Sequence, residues 1–322
     1  MCIRDRGISV AAINAVGPVF VLGANLSQKL EASRLTVLNL LQPVGQVIGG
    51  ALLAAAVAAN FDFSTRFMIA ALFMLICGVL TWFTTAEPAK RIVLQEDKPD
   101  DHHEEAKQSF GLKQVLFSTF GLTLLILTLS SVGNNGINAQ IANILPNVYG
   151  LDQQTTSTLI SVAGLLNILF FIIAGRWMAK SGAMTVLTGA TLIRFVGALG
   201  MALIGMMTNN PLALVAALFV LIFYQGNSFN RIAQGVVGKR FATIPAGATS
   251  GWVIAASAAG SFLGALVGGF LASAIGFNAI NWMAAIAVGL ALLLLFISLW
   301  PAERKKREEE AAVSGISQAQ QE

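Results

Sequence analysis

The feature that most constrains this chain is a succession of long apolar runs separated by short basic gaps. A helix crossing a bilayer needs about 20 mainly apolar residues, and it must satisfy its backbone hydrogen bonds internally. Nine runs meet that need, at about 7–27, 35–58, 65–86, 114–147, 155–175, 184–206, 211–235, 246–273 and 277–300. Hydrophobic residues fill 56% of the 322 positions and charged residues only 11%, whereas a soluble domain carries about a quarter charged. A water-soluble globule is excluded. The runs are continuous rather than alternating, which excludes a membrane β-barrel. The expected class is an all-α polytopic membrane protein.

The gaps assign a topology. Lys29 and Arg34 lie between the first two runs, Arg176 and Lys180 after the fifth, Lys239 and Arg240 after the seventh, and Arg304-Lys-Lys-Arg307 after the ninth. The third gap, 87–113, is a polar linker with Lys90, Arg91, Lys98, Lys107 and Lys113. The alternate gaps carry almost no positive charge, Arg66 excepted. Lys and Arg collect on the cytoplasmic side, so the linker and the C-terminus are expected in the cytoplasm, with the chain in the plasma (inner) membrane. The linker's His102 and His103 stand in a solvated charge run, and no metal site is expected. Residues 1–6 lack the pattern of a signal peptide and read as a sequence-assembly scar. Residues 302–322 read as a cytoplasmic helical tail with no chemistry of its own.

Two glycine stripes mark close packing. Gly45, Gly49 and Gly50 share a G-x-x-x-G-G spacing with Gly264, Gly268 and Gly269, and Gly260 extends the second stripe by one turn. Glycines four residues apart clear one helix face, so another backbone can approach it in lipid. Their recurrence suggests a duplicated unit, a common plan among secondary transporters.

With three runs before the linker and six after it, the pattern resembles the major facilitator superfamily. Its members have two six-helix bundles joined by a long cytoplasmic loop. On that resemblance residues 7–86 are a partial N-terminal bundle (helices 4–6), 87–113 the linker, and 114–301 the C-terminal bundle (helices 7–12). About nine of twelve helices are then retained, and the chain is expected to be an N-terminally truncated, inactive fragment. The two stripes fall on the equivalent helices 5 and 11, expected to be seams that let the bundles rotate. Gly175, Lys180 and Gly182 match the degenerate G-x-L-A-D-R-x-G-R loop between helices 8 and 9, with Ala179 in place of the acid. Gln46 stands where many antiporters of the family have the proline of G-P-x-x-G-G.

Polar side chains inside a span are costly and functional by default. Ser130, Asn134 and Asn138 recur every four residues on one face, with Asn135 and Gln140 beside them. Gly133 and Gly136 in the same run suggest a bent or partly unwound helix that presents backbone groups to a cavity; interhelical hydrogen bonding is the alternative. Tyr224, Asn227 and Arg231 share a face of the seventh run, which also holds Gln225 and Asn230. Arg231 reads either as a snorkelling cation or as a member of the site. Arg194, halfway along its run, reads either as a substrate ligand or as half of a structural charge pair. Asn14, Asn39, Gln42 and Gln46 are the matching polar positions of the first half, and Trp252 is a candidate stacking residue.

No Asp, Glu or His lies inside the nine runs. Either a coupling acid belongs to helices outside this sequence, or no intramembrane carboxylate drives the carrier. The resemblance implies a secondary active transporter of a small polar solute, working by alternating access, with a coupling ion as a second partner. No cofactor and no nucleic acid are expected. The competing readings are a membrane-embedded enzyme, which would need a nucleophile–base set or metal ligands at the interface, and a sensor of the same fold that does not transport.

Overall fold

The computed structural model describes residues 62–85 and 115–319, apart from 208–212, 243 and 245, together with Arg34 and Val44 singly. The expected spans at 7–27 and 35–58, the linker, Gln42 and the stripe of Gly45, Gly49 and Gly50 lie outside the described residues. Those residues are helical in two compact units. One unit contributes a single helix, α1 (Phe63–Thr85). Asp62 caps it, accepting from the Thr65 backbone N–H at 3.4 Å and from the Thr65 hydroxyl.

The second unit is a bundle of α2 (Thr119–Tyr149), α3 (Gln153–Ser181), α4 (Ala183–Ile204), α5 (Ala213–Phe241), α6 (Ala246–Ala274) and α7 (Asn278–Leu294). One π-helical turn, Leu295–Leu299, joins α7 to α8 (Trp300–Ala319) without a break. Six helices among the described residues are long and apolar enough to cross a membrane. Their outer faces carry exposed Leu169, Leu218, Phe262, Leu266, Phe270 and Leu293. In lipid these side chains sit in their preferred solvent, so their exposure costs nothing.

Turn chemistry sets the helix ends. Gly150 adopts φ 67° after α2, and its N–H reaches back to Pro146 O at 3.0 Å. A left-handed residue there closes the helix, and glycine takes that conformation without strain. Asp152 then caps α3, accepting from the N–H groups of Gln154 and Thr155, each at 3.1 Å.

Small residues set the crossings. A Cβ on Gly264 would collide with Val132 O and stand 3.0 Å from Gly136 N; one on Gly260 would meet Thr128 O and Ser131 Cβ. Gly268 lies over Gly136. The stripe of α6 therefore seats on α2, within one bundle. This corrects the expected seam between bundles: three glycines at four-residue spacing find their complement in Thr128, Val132 and Gly136, which share the same spacing. Asn135 adds a bond of 2.7 Å to Ser261, and the Thr128 hydroxyl lies 3.2 Å from Ala256 O. Gly269 only approaches the Gln140 amide.

The run Gly133-Asn-Asn-Gly136 is not unwound. α2 passes through it as one continuous helix of 31 residues. Both glycines are spent on close approach, Gly133 to Ala284 and Val288 of α7 and Gly136 to Met283 and Gly264. Packing against two neighbours holds the helix where propensity alone would loosen it.

The core is divided in two. One apolar cluster gathers Phe120, Leu127, Met178, Leu187, Ile232 and Leu299; the other gathers Ile137, Ile144, Met201, Phe223 and Ile280. Between them α2, α4 and α5 each present polar residues at mid-length.

Candidate functional site: a polar layer at mid-height of the bundle

Arg194 is the centre of this layer. It is 1% exposed and projects from the middle of α4. Gly226 of α5 makes the space: a Cβ there would sit 2.6 Å from Arg194 Cγ and 2.9 Å from Ala190 O. Nη1 donates to Ser130 Oγ at 2.8 Å, and Nη2 donates to Asn227 Oδ1 at 2.7 Å. One guanidinium thus ties α2, α4 and α5 together through two neutral acceptors. Its Nε–H has no protein partner. A charge taken out of water is normally offset by a counter-charge or by a full set of hydrogen bonds; here a hydroxyl and an amide supply part of that set.

Asn134 follows Ser130 by one turn and is 6% exposed; Asn138 follows by another and is partly exposed. The Oδ1 atoms of both are buried without a partner. On α5, Gln225 is buried with both amide atoms unpartnered, and Asn230 with its Oδ1 unpartnered. Native proteins leave few such groups, and those that persist are commonly met by water or ligand.

Tyr224 and Arg231 flank Asn227 along α5 and are partly buried. The Tyr224 ring meets Phe223 edge-on, with centroids 6.2 Å apart. Two expected members fall elsewhere. Asn135 turns to Ser261 in the α2–α6 seam. Trp252 lines an apolar groove of about 850 Å³ among Phe117, Leu124, Thr128 and Ala256, beside the apolar cluster that holds Phe120 and Leu127.

Several polar residues escaped the sequence reading. Asn167 on α3 accepts from the Ser228 hydroxyl at 2.6 Å. Asn281 on α7, fully buried, donates to Tyr149 Oη at 3.0 Å, and that hydroxyl donates to Met201 O at 2.7 Å. A single Asn within its apolar run was the available signal for Asn167, and an Asn pair three residues apart, Asn278 and Asn281, for the other. Glu303 is 2% exposed and pairs with Arg240 at 2.6 Å and Arg307 at 2.8 Å. The tail thus begins with an ion pair whose carboxylate is buried and whose two cations are partly exposed.

Among the described residues no group of three or more His, Cys, Asp and Glu side chains is placed to hold a metal ion.

The polar layer can be set beside known proteins. Residues 7–249 match the family model of the Major Facilitator Superfamily. A bacterial homologue of the iron transporter ferroportin, in an outward-facing state, has a similar structure. Its TM-score is 0.64 at 15% identity, over 90% of this chain and 68% of that one. A proton:xylose symporter of the superfamily, bound to 6-bromo-6-deoxy-D-glucose, gives 0.62 at 15% identity, over 88% of this chain and 67% of that one. No curated protein sequence matches the chain. The family match covers well over half the chain, so this protein belongs to the major facilitator superfamily and is an integral membrane transporter rather than an enzyme.

Proposed function

We propose that the protein is a secondary active transporter of a small polar solute. The solute binds in the polar layer of α2, α4 and α5, and the site opens alternately to the two sides of the membrane. One observation carries this reading: buried amide atoms of Asn134, Asn138, Gln225 and Asn230 lack partners at mid-height, between two apolar clusters. A purely structural network would pair those atoms, since an orphan polar group in low dielectric costs about 1–3 kcal/mol. Transporters of this architecture place solute near the midplane.

Ser130, Asn134, Asn138 and Asn227, with Tyr224 and Arg231 at the rim, supply donors and acceptors suited to hydroxyl, amide or carboxyl groups. The two similar structures concern iron and a sugar analogue, so the likeness leaves the solute open. We place the protein in the plasma (inner) membrane, with Lys239, Arg240 and Arg304–Arg307 on the cytoplasmic side.

The test is equilibrium binding of radiolabelled polar solutes to the purified protein in detergent, a readout that does not depend on the chain transporting by itself. Saturable binding that weakens at least tenfold in Asn134→Ala and Asn227→Ala, with unchanged folding, supports the reading. No saturable binding, or binding indifferent to both substitutions, removes the site from this layer.

A further inference from the structure

We propose that the apolar groove beside Trp252 holds an anionic phospholipid, with one acyl chain lying along α2 and the headgroup against α8. The groove is separate from the polar layer, and the proposal does not rest on the carrier reading.

Small and apolar residues of three segments build the groove. Leu125 and Thr128 of α2 line its length, Ala255 and Ala259 of α6 line one side, and Ser298 and Ala302, on either side of the α7–α8 junction, line the other; its volume is about 850 Å³. Leu125 is 48% exposed. From Thr119 to Thr128 the groove follows α2 for about 14 Å at the α-helical rise. The hydrocarbon of one leaflet is about 15 Å deep, half of a core of about 30 Å. The groove therefore spans one leaflet, the one on the α8 side of the bundle, which is the depth an acyl chain entering from that side fills.

Polar groups gather at the level of a headgroup. Trp252 and Ser298 both line the groove, and among the described residues neither the indole N–H nor the hydroxyl makes a hydrogen bond. A tryptophan at a membrane interface keeps its ring in hydrocarbon and gives its N–H to polar lipid groups. Lys305 follows Ala302 by three residues in α8, so the two are neighbours on one side of the helix. Lys305 and Arg304 are exposed, and among the described residues neither makes a hydrogen bond or an ion pair.

The acids of α8 do not cancel this charge at the groove. Glu303 is turned to Arg240 and Arg307, and Glu310 to Arg240. Glu308 and Glu309 lie about one turn farther along α8 than Lys305. A cation held at the membrane surface attracts an anionic lipid. A zwitterionic headgroup brings its own ammonium, which offsets that attraction, so charge favours the anionic class.

The test titrates purified, delipidated protein in detergent with dioleoylphosphatidylglycerol or dioleoylphosphatidylcholine. Thermal unfolding is followed in wild type, Lys305→Gln and Ala259→Phe, each compared with its own lipid-free midpoint. Occupancy of a site stabilises the folded state by linkage. Wild type should gain several degrees, saturably, with phosphatidylglycerol and less with phosphatidylcholine. Lys305→Gln should bring the two lipids to the same response. Ala259 is exposed, so a phenylalanine there fills the groove and should remove most of the response to both lipids.

No saturable response in wild type, equal responses to the two lipids, or a phosphatidylglycerol advantage that survives Lys305→Gln overturns the proposal. A lipid response left intact by Ala259→Phe also overturns it, and if that variant loses a dimer seen in wild type, the groove belongs to a second copy of the chain. Should Ala259→Phe not fold, Lys305→Gln decides alone.

Discussion

Glu303, at the start of α8, accepts the Nε–H of Arg240 at 2.6 Å while lying almost wholly out of solvent. The same carboxylate accepts from Arg307 at 2.8 Å, Arg240 reaches on to Glu310 at 3.0 Å, and the Lys306 ammonium donates to Arg240 O. Glu303→Gln should lower stability by about 1 kcal/mol, because two guanidinium groups lose a charged acceptor while Arg240 keeps Glu310 and both keep partial access to solvent. Thermal unfolding in detergent checks this. An unchanged midpoint would mean the α5–α8 contact contributes nothing.

Gly264 and Gly251 lie on the same helix and should respond oppositely to the same change. Gly264→Ala drives a methyl into the Val132 carbonyl, a backbone atom that cannot swing aside. Overpacking of this kind costs about 1–3 kcal/mol. Gly251 has open space where its Cβ would be, so Gly251→Ala should be neutral or stabilising by up to about 1 kcal/mol through helix propensity. Comparing the two unfolding midpoints decides the matter, since a generic helix effect would move both the same way.

The link from Arg194 to Asn227 predicts coupling. Arg194→Met and Asn227→Leu should each destabilise, while the double variant should lose less than their sum, with an interaction of about 0.5–3 kcal/mol. Additive losses would show that the two side chains act independently.

Asp152 gives the bundle a local acid sensitivity. Its carboxylate accepts from the Thr155 hydroxyl and from the backbone N–H groups of Thr155 and Gln154, which holds its pKa below the ordinary Asp value. A depressed folded pKa means that the cap is fully present above the unfolded value, about 4, and is lost as pH falls through the lower folded one. Hydrogen exchange in the first turn of α3, corrected for intrinsic rates, should therefore accelerate selectively in that acid range. Asp152→Asn caps without titrating and should abolish the selectivity; if it does not, the cap is not the cause.

How much of this was legible in the sequence depended on what each feature rests on. The six spans of the bundle follow from apolar length, which is local; α4, expected at 184–206, runs Ala183–Ile204. α3 and α5 run on through Lys180 and Arg240, because a basic gap can be helical as well as a loop. Gly133 and Gly136 misled because glycine loosens an isolated helix yet tightens a packed one, and only Ala284 and Gly264 across the contact decide between those outcomes. The shared face of Ser130, Asn134 and Asn138 was readable from the helical period. That Arg194 would meet Ser130 and Asn227 was not, since partners 64 and 33 residues away are set by the fold.

The π-helical turn at Leu295–Leu299 also fixes what α8 can touch. Such a turn holds one residue more than its α-helical equivalent, and each residue advances a helix by about 100°. The bulge therefore absorbs one extra residue between the last span and the tail without turning one against the other. Deleting that residue would restore a plain α-helical turn and leave Glu303 facing Arg240. Deleting a residue of α8 ahead of Glu303, where nothing absorbs the change, would instead swing the carboxylate by about 100° and open the clasp although no residue of the clasp had been changed.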